Sequence, residues 1–147
     1  MITRRVALVL LALPLSREAR PLGLDVLRGD PDRRLLLDAI RPTLARATNG
    51  PIRFTVRELR RFGDFAYGVL QPRRPDGEGA IDWMATPYRA RAEGAGFEDG
   101  LTYVLWRRLA GGWKVEEQAV GPAAPVWPDW QRRYRLPRNL FEQGGTP

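Results

Sequence analysis

The stretch LTYVLWRRLAGGWKVEEQAV, residues 101–120, carries two runs rich in aromatic and β-branched residues around Ala110-Gly111-Gly112. Such runs, broken by a glycine turn, predict a β-hairpin from Leu101–Leu109 and Trp113–Val120. A three-residue loop with a left-handed glycine sets Leu109 opposite Trp113, Arg107 opposite Val115 and Tyr103 opposite Ala119. One face then holds Leu101, Tyr103, Leu105, Leu109, Trp113, Val115 and Ala119. The other holds Thr102, Arg108, Lys114, Glu116 and Gln118, with Val104, Trp106 and Val120 among them. A two-residue loop would slip the pairing by one position and mix both faces, so the longer loop is the expectation.

Upstream, Ile52, Phe54 and Val56 alternate with Arg53, Thr55 and Arg57, as in a half-buried strand. The alternation fails at Glu58-Leu59, where a bulge would restore it. Gly63-Asp64 is a turn, and Phe65, Tyr67 and Val69 alternate again up to Pro72, completing a first hairpin. Before it lies the clearest helix start. Asp30 can cap, Pro31 suits the first helical position, and Asp32 favours the positive end of the dipole. Leu36, Ile40, Thr43, Leu44 and Ala47 form one apolar stripe, and Asn49-Gly50 is a left-handed stop. Pro42 is expected to kink this helix or split it. Residues 73–100 are rich in Gly and Pro and long for a passive connection, so they are either functional or partly structured. Trp83, Met84, Tyr88 and Phe97 give that segment something to pack with. A short helix over Pro128–Arg135 follows, then Leu140 and Phe141 as an anchor, and residues 142–147 are expected to be loose.

The expected architecture is therefore α+β: a kinked N-terminal helix on a four-stranded antiparallel sheet of two hairpins, with a short C-terminal helix. The run helix, hairpin, long loop, hairpin, with Gly112, Trp113 and Val115 opening the last strand, resembles the rolls of cystatin-like and nuclear-transport-factor-like domains. The chain also resembles small uncharacterised exported proteins of Gram-negative bacteria. The likeness spans residues 30–121 and rests on pattern. Enzymes of the nuclear-transport-factor-like group often pair histidine with acids, and this chain has no histidine.

The N-terminus reads as an address. Arg4 and Arg5 precede ten apolar or proline residues, Val6–Leu15, which end at Ser16, Arg17 and Glu18. That is the order of a secretory signal, and the apolar run is half the ~20 residues a membrane crossing needs. Cleavage after Ala19 would leave Arg17 at the third-last position, and cleavage after Ser16 would leave Pro14 there, so neither site has the usual small residues. The alternative is a buried strand or helix of a cytoplasmic domain. Residues 1–19 are thus expected to be a signal peptide, residues 20–141 one domain, and the location periplasmic or secreted.

Composition narrows the chemistry. The 147 residues include no cysteine and no histidine. Thiol nucleophiles, disulfides and serine–histidine–aspartate catalysis are excluded, and a zinc site would need carboxylates alone. No metal or cofactor is expected. The net charge of +7 comes from 23 arginines and Lys114 against 17 acids. Arginine grips phosphate and carboxylate bidentately, which makes an anionic partner worth considering. A coding bias toward arginine explains the count equally well. The pairs Arg33-Arg34, Arg60-Arg61, Arg73-Arg74, Arg107-Arg108 and Arg132-Arg133 are scattered among acids, with no basic block, which argues against nucleic acid.

Two functions from different classes follow. The first is a non-catalytic binding or interaction module of the cell envelope, using Trp83, Tyr88, Trp106 and Arg108. Its partner would be a protein or an anionic small molecule, with membrane contact only through an uncleaved signal segment. In that reading Trp106 lies on the polar face of the second hairpin as an anchor; alternatively the tail folds back and covers it with Trp127, Trp130 or Phe141. The second is a carrier or enzyme with a pocket inside the roll, where Asp64, Tyr67 and Tyr103 would serve as acid–base groups. Against it, Asp64 is a natural turn residue and the tyrosines suit an amphipathic core. Glu116 and Glu117 are adjacent in a strand and face opposite sides, so they cannot form an acid–base pair. Asp76, Glu78 and Asp82 lack the spacing of a calcium loop.

Overall fold

In the computed structural model, which describes residues 24–142, the long helix α1 spans Pro31–Ala47. The Asp30 side chain caps it, accepting from the Asp32 N–H at 2.9 Å, and Pro31 occupies the first turn. At the other end Asn49 adopts φ +57°, the Gly50 N–H reaches the Ala45 carbonyl and the Asn49 N–H reaches Arg46, which together are a Schellman closure. The helix runs unbroken through Pro42, so the expected split does not occur. Pro42 and Asp38 both lie on the exposed side, where water can satisfy the carbonyl that loses its partner. Leu36, Ile40 and Leu44 face inward and are fully buried, a gain of about 1.5–3 kcal/mol each.

The sheet is an antiparallel meander in chain order. Four long strands, β2 (Arg53–Phe62), β3 (Phe65–Arg73), β4 (Thr102–Leu109) and β5 (Gly112–Val120), are joined by a two-residue edge strand β1 (Leu24–Asp25). The architecture is the α+β layout expected. The bulge in β2 falls where the alternation fails: Val56 pairs with Leu70 and Glu58 with Val69, leaving Arg57 as the extra residue. Pro72 lies beyond the last β3–β4 pair, Leu70 with Thr102, so its missing N–H breaks no ladder there.

The second hairpin corrects the expected register. Its turn is two residues, Ala110-Gly111, with Leu109 opposite Gly112, Arg108 opposite Trp113 and Trp106 opposite Val115. The left-handed glycine is present, at Gly112 with φ +107°. A bulge at Glu116 then absorbs one residue, so that Leu105 pairs with Glu117 and Tyr103 with Ala119. The two candidate registers coexist on one hairpin. Near the turn, Trp113, Val115 and Trp106 share the α1 face; beyond the bulge, Tyr103, Leu105 and Ala119 share the opposite one. The mixing of faces that counted against the short loop is what the bulge removes.

Trp106 is fully buried beneath α1. It is therefore neither a surface anchor nor covered by the tail, and both expectations are overturned. Small neighbours on β3 make its slot: Ala66 lies opposite it, and a methyl group on Gly68 would come within 2.9 Å of the indole. The C-terminal segment crosses the other face. Helix α3 (Trp127–Tyr134), one residue earlier than expected, and the turn Arg138–Leu140 bury Trp130, Leu140 and Phe141 against Tyr67, Val69 and Leu105. The molecule has three layers: α1, sheet, C-terminal segment. Residues 1–23 and 143–147, including the signal segment and most of the loose tail, lie outside the described residues.

Candidate functional site

The C-terminal segment does not cover its face of the sheet completely. Between the open ends of β2, β3 and β4 and the crossing residues 122–127 lies a groove of about 780 Å³. Its floor is Val69, Tyr67 and Tyr103; its walls are Glu58 and Gln71 on one side and Trp127 and Phe141 on the other. Arg57 and Glu98 stand at the rim, both exposed.

Each wall has a sequence reason. The β2 bulge gives Arg57 and Glu58 to the same face, since the extra residue interrupts the strict alternation. Glu58 is held by Arg60, whose Nη2 donates to Glu58 Oε2 at 2.6 Å. Arg60 is itself almost completely buried and also donates to the carbonyls of Leu140 (2.9 Å) and Phe141 (2.7 Å). One guanidinium thus fixes both the carboxylate and the chain end that carries the Phe141 wall. Phe141 meets Tyr67 edge-on at 4.9 Å and stacks on Trp127 at 5.7 Å. On the far side of α3, Tyr134 donates to Glu117 at 2.8 Å and Arg133 pairs with the same carboxylate.

The rim at residues 98–99 is strained. Glu98 and Asp99 have φ of +50° and +51°, a conformation that costs non-glycine residues of order 1–3 kcal/mol each. The Gln71 amide holds this corner, donating to the Asp99 carbonyl at 2.9 Å. Gly100 follows at φ +76° with its α-carbon against the Trp83 ring, where no side chain fits.

Burial pushes the Tyr67 phenol well above its usual range, and the negative charge of Glu58 adds to the effect. Tyr103 is raised chiefly by burial, then by Glu98 and Glu58. Both phenols therefore keep their protons at neutral pH. Such phenols offer a proton to a ligand and are poorly suited to accept one.

The sequence-derived candidates are dispersed. Tyr67 and Tyr103 come together in the groove, but Asp64 does not join them: it is exposed in the β2–β3 turn, where its carbonyl receives the Arg108 N–H. Trp83 is in the core cluster beneath the long loop, with Phe97 at 5.2 Å and Tyr88 at 5.9 Å, both edge-on. Residues 73–100 are thus a structured cover, with the short helix α2 at Arg89–Ala92. Arg108 is at the other end of β4, exposed, lying over Trp113 at 4.5 Å and donating to Asp32 at 2.9 Å. With Trp106 buried and Trp83 and Arg108 at opposite ends of β4, these four residues form no common patch. The acidic loop has structural roles: Asp76 pairs with Arg53, and Asp82 caps the turn Trp83–Ala85. Among the described residues no cluster of three or more acidic side chains is placed to hold a metal.

Sequence reasoning missed Glu58, Glu98, Trp127 and Phe141 as groove residues. The bulge at 57–58 was the available signal for Glu58. A second depression next to the groove, of about 920 Å³, shares Arg57 and Gln71 and adds Arg73, Arg74, Asp76, Ile81 and Trp83. There Arg74 is committed to the end of α1, donating to the Thr48 and Pro51 carbonyls. No protein-family model, curated protein or solved structure matches the chain.

Proposed function

We propose that this chain is an exported, non-catalytic binding module that holds a small ligand in the groove between the sheet and residues 122–127. The groove carries the proposal: its volume, about 780 Å³, lies within the ~300–1,000 Å³ typical of small-molecule sites, and aromatic faces with a few converging polar groups are the usual lining. A binding role is favoured over an enzyme because the groove phenols stay protonated at neutral pH and the chain has neither histidine nor cysteine. The anionic partner expected from the net charge of +7 has its best place on the neighbouring depression, at Arg57 and Arg73.

The test is equilibrium dialysis of the full chain against a small-molecule extract of the bacterial envelope, with mass spectrometry of what is retained. A ligand at a hundred times its Kd raises stability by about 2.7 kcal/mol, visible as a rise in Tm. Ala123→Trp, on the exposed strap, should fill the groove and abolish retention while leaving the unliganded Tm unchanged. Retention that survives Ala123→Trp would place the ligand elsewhere and sink the proposal. Export rests on Arg4, Arg5 and the run Val6–Leu15. Residues 1–20 fused to a periplasm-dependent reporter should activate it, and a reporter left silent in the cytoplasm overturns that part.

A further inference from the structure

Four aromatic side chains line the groove, and three of them are already partnered. Tyr67 has Phe141 at 4.9 Å and the Arg60 guanidinium at 6.0 Å. Trp127 has Phe141 stacked on it at 5.7 Å and Arg138 at 6.0 Å. Among the described residues Tyr103 is the lining aromatic with neither an aromatic nor a cationic partner, and it is only half-buried. Glu58 and Glu98 line the groove with it, Glu58 paired with Arg60 and Glu98 at the rim with Arg57, and both carboxylates add to the burial that raises its phenol.

We propose that the Tyr103 end of the groove is a site for an organic ammonium group, seated on the Tyr103 ring between Glu58 and Glu98. This rests on the groove being the binding site, and it names the class of ligand. The chemistry is that of a cation over an aromatic face, where the ring's negative quadrupole and flanking carboxylates attract a charge that sheds its water cheaply. Arg138 over Trp127 and Arg60 over Tyr67 show the neighbouring rings already serving cations of the protein itself. Two charges oppose the proposal: Arg57 at the rim, and Arg60 behind Glu58. Arg57 and Glu98 are both exposed, so solvent screens the two charges alike and the bare Tyr103 face carries the preference. Arg60 gives Nε and Nη2 to Glu58 and the two chain-end carbonyls, with its buried Nη1 unpartnered, and Glu98 is the carboxylate of the site with no ion-pair partner among the described residues. Glu98 owes its place at the rim to the strained corner that Gln71 holds. In a chain of net charge +7, a hollow where Glu58 and Glu98 balance Arg60 and Arg57 is less repulsive to a cation than the rest of the surface.

The experiment uses the full chain and three probes: choline, its uncharged isostere 3,3-dimethylbutan-1-ol, and benzoate. Each is titrated while the ring resonances of Tyr103 and the groove resonances of Tyr67, Val69 and Trp127 are followed by NMR, the latter set serving for the Tyr103 variant. Choline should shift those resonances, and the isostere should bind about five- to tenfold more weakly, the usual worth of a cation–aromatic contact. Glu98→Gln, an exposed and structurally mild change, should weaken choline about threefold without altering Tm, and Tyr103→Leu should weaken it further. If the isostere or benzoate binds the groove as tightly as choline, the ammonium site is overturned and the groove reading stands. If choline binds equally well to Glu98→Gln and Tyr103→Leu, the ammonium site is likewise overturned. If no probe moves any groove resonance up to tens of millimolar, both proposals fall.

Discussion

The two faces of the sheet are built on different terms. On the α1 face, Leu36, Ile40 and Leu44 close over Trp106, Val104 and Leu70 with no room left, and Gly68 is bare because the indole occupies the space a side chain would take. On the opposite face the cover is α3, a short turn and two chain-end carbonyls held by one arginine, and it stops short of the strand ends. The first face is made by interdigitating apolar volume, which tolerates no gap. The second is tied by directional polar contacts, which fix a lid at a few points and leave a hollow beside them. Stability therefore belongs to the first face and the proposed binding surface to the second.

Breaking the solid face should have the largest effect. Trp106→Ala empties the slot between α1 and β3 and is expected to cost about 3–5 kcal/mol, read as a lowered denaturation midpoint. A loss below ~1 kcal/mol would mean that this face can collapse around the gap. Cutting the tie comes next. Arg60→Ala removes the donors to Leu140, Phe141 and Glu58, a loss of about 2–3 kcal/mol, and it should free the C-terminal segment before anything else. Limited proteolysis should then cut within residues 127–142 first, while amides of α1 keep their protection from hydrogen exchange. Simultaneous loss of both would show the two faces to be one cooperative unit.

The smallest effect is a pH dependence. The Tyr67 phenol has its ordinary value of 10.0 in the unfolded chain and is raised in the folded one by burial and by Glu58. Its contribution is whole below pH 10. Above that the unfolded chain loses the proton first, so stability falls with rising pH by up to ~1.4 kcal/mol per pH unit from this group. Tyr67→Phe should remove that component of alkaline unfolding, measured by urea denaturation at pH 9 and pH 11. An unchanged slope would mean that the phenol is not desolvated beneath Phe141.

Much of this layout is legible along the chain. Asp30-Pro31 and Asn49-Gly50 bound the helix because they solve the problem of unpaired backbone groups locally, with no help from distant residues. The alternation in 52–57 and its failure at Glu58 locate a strand and its bulge for the same reason. The candidate site is far less legible. Tyr67 and Tyr103 are visible as amphipathic strand residues, but the groove they line takes its other walls from residues 98, 127 and 141, which only the folded chain brings near them. The second hairpin shows why. A two-residue turn and a bulge at Glu116 exchange one error of alternation for another, and no local rule fixes their balance. The packing of Trp113 and Val115 beside Trp106 under α1 decides it, since the slipped register would turn Trp113 and Val115 to the opposite face.

The sequence by itself determined the elements, their order and their caps, along with the removal of histidine and cysteine chemistry. Those depend on contacts a few residues apart and on which side chains exist at all. Only the tertiary structure decided which face each strand offers, what covers Trp106, and that the tail closes the far side of the sheet incompletely. Those outcomes depend on competing for the same buried volume, and that competition is settled by packing across the whole chain.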